Sequence, residues 1–85
     1  MMQVGKLYKM KRRLLLWTDV GAFWPNNDQI LLCVESRDSG EVVGKRRENL
    51  FQHMVLIGDK VYKFPSMTSS ELNYYIELAI GKKQQ

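Results

Sequence analysis

His53 and Cys33 are the two side chains on which a catalytic site would first be sought, since the 85-residue chain has one histidine and one cysteine. General base catalysis needs a histidine placed beside the group that it deprotonates. Strand alternation instead puts His53 on the side of Phe51 and Val55, which indicates a structural or surface histidine rather than a catalytic one. Cys33 lies inside an apolar run, and we expect a small buried hydrophobic residue in a reducing compartment.

The other residue types that build reactive sites are scattered along the chain. No cysteine and histidine spacing fits zinc, and no D-x-D loop fits calcium. No glycine-rich loop opens a helix to hold phosphate. We therefore predict that the protein is not an enzyme and that it uses no metal or other cofactor.

Positive charge is the remaining chemical feature. The formal net charge is +4 and the isoelectric point is near 9.4, which permits a polyanionic partner without requiring one. Phosphate binding needs such charge, and base stacking needs aromatic rings nearby. Lysines that protect a strand edge from aggregation would give the same pattern, so both interpretations stay open. The basic positions are Lys6, Lys9, Lys11, Arg12, Arg13, Arg37, Lys45, Arg46, Arg47, Lys60 and Lys63.

The elements that would position these residues are mainly β-strands. Five short apolar segments are separated by turn signals, with no helical segment between them, which predicts a five-stranded small barrel. Gly58-Asp59 predicts a two-residue hairpin, and Arg37 to Gly40 predicts a tight turn. The predicted strands cover residues 7–17, 29–35, 41–43, 50–57 and 60–64 of a single domain that spans residues 1–85.

A C-terminal helix is predicted at residues 69–80. Thr68 and Glu71 have the spacing of a capping box, in which each side chain bonds the backbone N–H of the other residue. Apolar residues then recur at helical spacing. Gly81 would end the helix.

The amount of apolar surface predicts self-association. A chain this short buries only about 60% of the surface that its unfolded form exposes. The second strand, the fourth strand and the helix are each apolar on two faces, which is more than a thin barrel can cover. We therefore expect copies of the chain to associate. The residues expected at the interface are Met54, Leu56, Val61, Tyr62, Tyr74 and Leu78.

The hydropathy pattern gives no sign of membrane insertion. No apolar run approaches the ~20 residues that a membrane-spanning helix needs. The run at residues 14–17 is too short for the core of a signal peptide. We expect a location in the cytoplasm of a cell, or of an infected host cell, and no membrane partner.

Residues 54–64, with the sequence MVLIGDKVYKF, resemble the hairpin between the fourth and fifth strands of Sm and like-Sm proteins. That signature consists of an apolar strand, a glycine turn with a polar follower and a second apolar strand. Ile57 stands where the family usually has a basic residue, and the predicted helix is C-terminal rather than N-terminal. The whole chain is similar to a family of small marine proteins of cyanophage origin with an Sm-like fold.

The resemblance implies a homo-oligomeric ring that binds single-stranded RNA without catalysis, and for the marine proteins it implies a pentamer. The ring would pair residues 50–57 of one subunit with residues 60–64 of the next. The RNA-binding loops would be residues 37–40 and 58–60. Arg37 and Lys60 would then contact phosphates, while added electrostatic attraction would come from Lys45, Arg46 and Arg47.

A structural or protein-binding module of a phage is the alternative that the sequence leaves open. Phe23, Trp24 and Pro25 lie in a predicted loop at residues 22–28. Exposed aromatic residues form the recognition surface of many peptide-binding domains. Under this alternative the loop would capture a protein partner, and nucleic acid would not be the ligand.

Overall fold

The computed structural model describes residues 2–79, which form one antiparallel sheet and one short helix. The mainly β class and the single helix are confirmed, whereas the count of five strands is wrong because the sheet has seven. The sheet order is β3-β2-β6-β5-β4-β1-β7. The elements are β1 (Leu7–Met10), β2 (Leu16–Thr18), β3 (Gly21–Phe23), β4 (Ile30–Val43), β5 (Glu48–Ile57), β6 (Lys60–Lys63), α1 (Ser69–Tyr75) and β7 (Ile76–Leu78).

The sheet curls into a half-barrel around one core. Leu16 of β2 and Ile76 of β7 belong to strands near opposite ends of the sheet order, yet both lie in the same buried cluster. A flat sheet could not bring them together, so the curl is what closes the core. The buried apolar residues are Met2, Tyr8, Met10, Leu16, Leu31, Cys33, Val55, Tyr62, Phe64, Met67, Leu72 and Ile76.

Strand β4 runs straight through the segment that was predicted to be a tight turn, so the turn at Arg37 to Gly40 is wrong. From Asp38 to Val42 the strand advances four residues while its partner β5 advances two, from Phe51 to Asn49, which makes a two-residue bulge. Gly40 has a φ of +86° there. The chain reverses instead at residues 44–47, where the Arg47 N–H donates to the Gly44 carbonyl at 3.1 Å.

Side-chain bonds across the strand pair hold this bulge. The Asp38 carboxylate accepts from the Gly40 N–H at 2.8 Å and from the Asn49 amide at 3.1 Å. The Ser39 hydroxyl donates to the Leu50 carbonyl at 2.8 Å. Asp38 and Ser39 therefore form side-chain hydrogen bonds of the kind that they form in turns. Here those bonds hold the bulged part of β4 against β5.

The first predicted strand is also shorter than expected. Strand β1 ends at Met10, and the chain re-enters the sheet in a hairpin of β2 and β3. Phe23, predicted in a loop, lies in β3, pairs with Leu16 and contacts the Tyr62 ring at 5.0 Å between centroids. The Gly58-Asp59 hairpin between β5 and β6 is confirmed, with Ile57 paired to Lys60.

Helix α1 begins as predicted and ends early. The Thr68 hydroxyl accepts from the Glu71 N–H at 3.2 Å, and the Glu71 carboxylate accepts from the Thr68 N–H at 2.9 Å, which confirms the capping box. The predicted extension to residue 80 is wrong over Ile76–Leu78, which turn extended and pair with β1. Residue 80 and Gly81 lie outside the described residues.

His53 is buried in the core and is 1% exposed. Its Nε2 accepts from the Met2 N–H at 3.3 Å, so a neutral ring carries its proton on Nδ1. Within residues 2–79, neither His53 Nδ1 nor the Oγ of its cross-strand neighbour Ser36 has a hydrogen-bond partner. Burial lowers the pKa of His53 to about 4 from its ordinary 6.5, because the charged ring would lose its hydration.

We expect this histidine to weaken the fold in acid. Well above pH 6.5 the ring is neutral in both the folded and the unfolded state, so its ionisation does not affect the free energy of unfolding. As the pH falls from 6.5 towards 4, His53 becomes protonated in the unfolded chain but stays neutral in the folded chain. This difference lowers the free energy of unfolding by up to about 3 kcal/mol. Urea unfolding from pH 7.5 to 4 should show this slope, and the His53→Gln variant should lose it. Equal slopes in the two proteins would contradict the prediction.

Candidate nucleic-acid interface

The predicted phosphate-binding cations lie far apart on the fold. Lys45, Arg46 and Arg47 occupy the exposed turn that precedes β5, and Lys60 follows the hairpin at the other end of β5. A ten-residue strand separates its two ends by about 30 Å. One short ligand segment cannot contact both groups at once.

Arg37 lies within β4, opposite Gln52 of β5. Its Nε donates to the Gln52 amide oxygen at 2.9 Å and lies 3.8 Å from the Glu35 carboxylate. The guanidinium is therefore partly engaged by its own chain. The structure does not bring Arg37, Lys60 and the cations of the 44–47 turn into one site.

The connection between β1 and β2 is where positive charge and exposed aromatic rings meet. At its start, the Lys11 N–H donates to the Tyr75 carbonyl at 2.7 Å. On the other side, the Asp28 N–H donates to the Met10 carbonyl at 2.9 Å. The connection is thus held between the C-terminal end of α1 and the loop that follows β3.

Arg12 lies over the first of these rings. Its Cζ is 4.1 Å from the centroid of Tyr74, and its Nη1 donates to the Tyr74 carbonyl at 3.4 Å. Tyr74 is 55% exposed and packs edge-to-face on Tyr75 at 5.1 Å. This ring is fixed by its neighbours while part of it remains open to solvent.

Arg13 lies over the second ring. Its Cζ is 5.0 Å from the centroid of Trp24, and Trp24 is 51% exposed. The next residue, Pro25, is fully buried, which anchors the backbone below the indole. Of the predicted recognition loop Phe23-Trp24-Pro25, only Trp24 is substantially open to solvent, because Phe23 packs on Tyr62.

We give one name, the arginine–aromatic face, to the exposed side chains of this connection and the two rings that they contact; it consists of Lys11, Arg12, Arg13, Trp24 and Tyr74. Among residues 2–79, none of its three cations forms an ion pair with a carboxylate. Neighbouring Lys9 differs, because Asp28 at 3.9 Å and Glu77 at 3.3 Å compensate its charge. Exposed rings beside uncompensated guanidinium groups can stack unpaired bases and bind phosphates.

The basic run at residues 11–13 is visible in the sequence, but its spacing alone does not predict a site there. The two rings that complete the face come from a loop and from a helix distant in sequence. The sequence predicts protein recognition for Trp24 and an oligomer interface for Tyr74. A basic run among exposed aromatic residues was the available signal, but the sequence does not tell which ring meets which arginine.

The residues predicted at an oligomer interface are divided between the two faces of the sheet. Met54, Leu56 and Val61 lie on the outer face, turned away from the core. Tyr62 points inward and is 8% exposed, which places it in the core. Tyr74 and Leu78 are exposed near the end of the described chain.

Cys33 and the acidic residues offer little reactive chemistry. Burial raises the pKa of the Cys33 thiol, which keeps it protonated and poorly nucleophilic. Within the part of the chain that the structure covers, no three His, Cys, Asp or Glu side chains cluster closely enough to hold a metal ion. Residues 2–79 contain no helix that is long and apolar enough to span a membrane.

Comparison of the chain with family models, with curated proteins and with solved structures found no match in any of the three.

Proposed function

We propose that this protein is a non-enzymatic module that binds single-stranded nucleic acid, RNA in preference, through the arginine–aromatic face. The observation that carries the proposal is the placement of Arg12 over the exposed Tyr74 and of Arg13 over the exposed Trp24, at one connection. Both guanidinium groups lack a carboxylate partner within the described chain.

Single strands fit this surface better than duplexes. An exposed ring gains free energy by stacking on a base whose faces are free, and in a duplex those faces are already stacked. Guanidinium groups beside the ring supply donors for the phosphates that flank such a base. The connection carries no strand or helix that could enter a groove of a duplex.

The finer architecture that we propose is a small barrel of the Sm or Src-homology-3 type. Strands β7, β1, β4, β5 and β6 would make the barrel sheet in that order, and β2 and β3 would be an inserted hairpin. In this arrangement the cations of the 44–47 turn lie away from the arginine–aromatic face along β5 and contribute long-range attraction.

Protein capture through the Phe23-Trp24-Pro25 loop has less support. Two of its three side chains are withdrawn from solvent, Phe23 against Tyr62 and Pro25 by full burial. The remaining one, Trp24, carries a guanidinium on its ring. The loop therefore presents a mixed cationic and aromatic surface, which suits an anionic ligand.

Removal of the two arginines should weaken binding to a single-stranded oligonucleotide. We expect the Arg12→Ala, Arg13→Ala double variant to bind oligo(U) roughly 10- to 30-fold more weakly, because two solvent-exposed charge contacts of up to about 1 kcal/mol each are lost. The slope of log K against log salt should become shallower by about 1.4, since each phosphate contact on a single strand contributes about 0.7. Fluorescence anisotropy at several salt concentrations measures both quantities.

The matched control removes the same charge elsewhere. Lys45→Ala with Arg46→Ala also lowers the net charge by two, but at the turn before β5. We expect this control to lose only a few-fold in affinity through long-range attraction. If the control lost more affinity than the arginine variant, the binding site would lie at the 44–47 turn, and the proposed site would be wrong.

Stacking on Trp24 gives a second prediction, which separates nucleic acid from other polyanions. Trp24→Ala should weaken oligo(U) binding about 5- to 150-fold, because a base–aromatic stack contributes about 1–3 kcal/mol. Trp24→Phe keeps a ring and should retain most of the affinity. An abasic oligonucleotide of equal length should bind the Trp24→Ala and Trp24→Phe variants with equal affinity. If Trp24→Ala weakened binding of the abasic ligand as much as it weakens binding of oligo(U), stacking would be contradicted.

A further inference from the structure

The outer face of the sheet carries an apolar surface that remains partly exposed to solvent. In register, Leu7 pairs with Leu32, Leu32 with Leu56, and Leu56 with Val61, so one apolar row crosses four strands. Val61 is 43% exposed, and nearby Ile30 is 44% exposed. We call this surface the outer apolar patch; it consists of Leu7, Ile30, Leu32, Met54, Leu56 and Val61.

Charges flank the patch in a self-complementary arrangement. Met54 on β5 pairs with Glu35 on one side and with Lys63 on the other. Leu56, two residues along, pairs with Leu32 and Val61 on those same sides. Lys63 has no carboxylate partner among residues 2–79, and Glu35 has only Arg37, at 3.8 Å.

We propose that two copies of this chain pack face to face through the outer apolar patch, around a two-fold axis that lies between the two sheets at about 15° to β5. Such an axis lays Met54 and Leu56 of one copy over the same residues of the other. It also exchanges the two sides of β5, so Lys63 faces the second copy's Glu35 and Val61 faces its Leu32. An isologous contact of this kind repeats each pair twice.

The geometry of packed sheets accommodates these pairs. Two sheets stack about 10 Å apart with their strands rotated by about 30°. A rotation centred on β5 displaces the neighbouring strands, about 4.8 Å away, by only about 2.5 Å. The long Lys63 side chain spans that offset.

This contact differs from the ring that the family resemblance implies. That ring joins subunits by strand edges at residues 50–57, but β5 is already hydrogen-bonded to β4 and β6 within its own chain. Packing through the outer face uses no backbone hydrogen bond and leaves the sheet intact. Dimerisation through the outer face does not depend on nucleic-acid binding.

Charge exchange between two variants tests the register. Sedimentation of the wild-type protein should show a dimer that dissociates on dilution. E35K alone and K63E alone should each raise the dimer dissociation constant about tenfold or more, because like charges then face each other twice. An equimolar mixture of the E35K and K63E chains restores both opposite-charge pairs and should again form dimers.

The matched control is K60E, which makes the same charge change on the same strand. Lys60 is exposed on the opposite face of β6 from Lys63, so dimerisation should persist. Circular dichroism and thermal unfolding establish that each variant is folded. A wild-type monomer at millimolar concentration, a five-membered assembly, or no recovery in the mixture would each overturn the proposal.

Discussion

Strand β5 is hydrogen-bonded along both edges, to β4 and to β6, and the arrangement of the surfaces follows from this pairing. With both edges used, alternation alone decides where its side chains go. His53 and Val55 point into the core, while Met54 and Leu56 point away from it. One strand therefore supplies both the centre of the core and the centre of the outer apolar patch.

The length of β5 also divides the positive charge. Its two ends carry the turns that hold Lys45 to Arg47 and Lys60, so these cations act as separate groups. The cations that do converge lie where the backbone is irregular, between β1 and β2. Backbone hydrogen bonds from Lys11 to Tyr75 and from Asp28 to Met10 fix that connection between two aromatic platforms.

Cation–π contacts give the arginine–aromatic face part of its order before any ligand arrives. An exposed contact of this type contributes about 0.5–1 kcal/mol. Immobilising a flexible side chain on binding costs about 0.5–1.5 kcal/mol. Because Arg12 and Arg13 already lie over Tyr74 and Trp24, part of that cost is met within the free protein.

Features that depend on residues close together in the sequence were predicted correctly. The capping box of Thr68 and Glu71 and the Gly58-Asp59 hairpin are of this kind, since their chemistry lies within a few residues. Alternation grouped His53 with Val55, but only the fold showed that this side faces the core. Asp38, Ser39 and Gly40 predict a tight turn but form a bulge, because the same side-chain hydrogen bonds stabilise either structure.

Tertiary contacts decided the remaining features. Ile76 is buried in strand β7, and it would also be buried on the core side of the predicted helix. Burial therefore does not distinguish the two structures, whereas pairing with the edge of β1 favours the strand. The bulge near Asp38 is stabilised by hydrogen bonds to the opposite strand β5. Asp38 accepts from the Asn49 amide, and Ser39 donates to the Leu50 carbonyl. The basic run at residues 11–13 is visible in the sequence by itself. Its meeting with Trp24 and Tyr74 required the fold, because a loop and a helix end reach the same connection only once the sheet has curled.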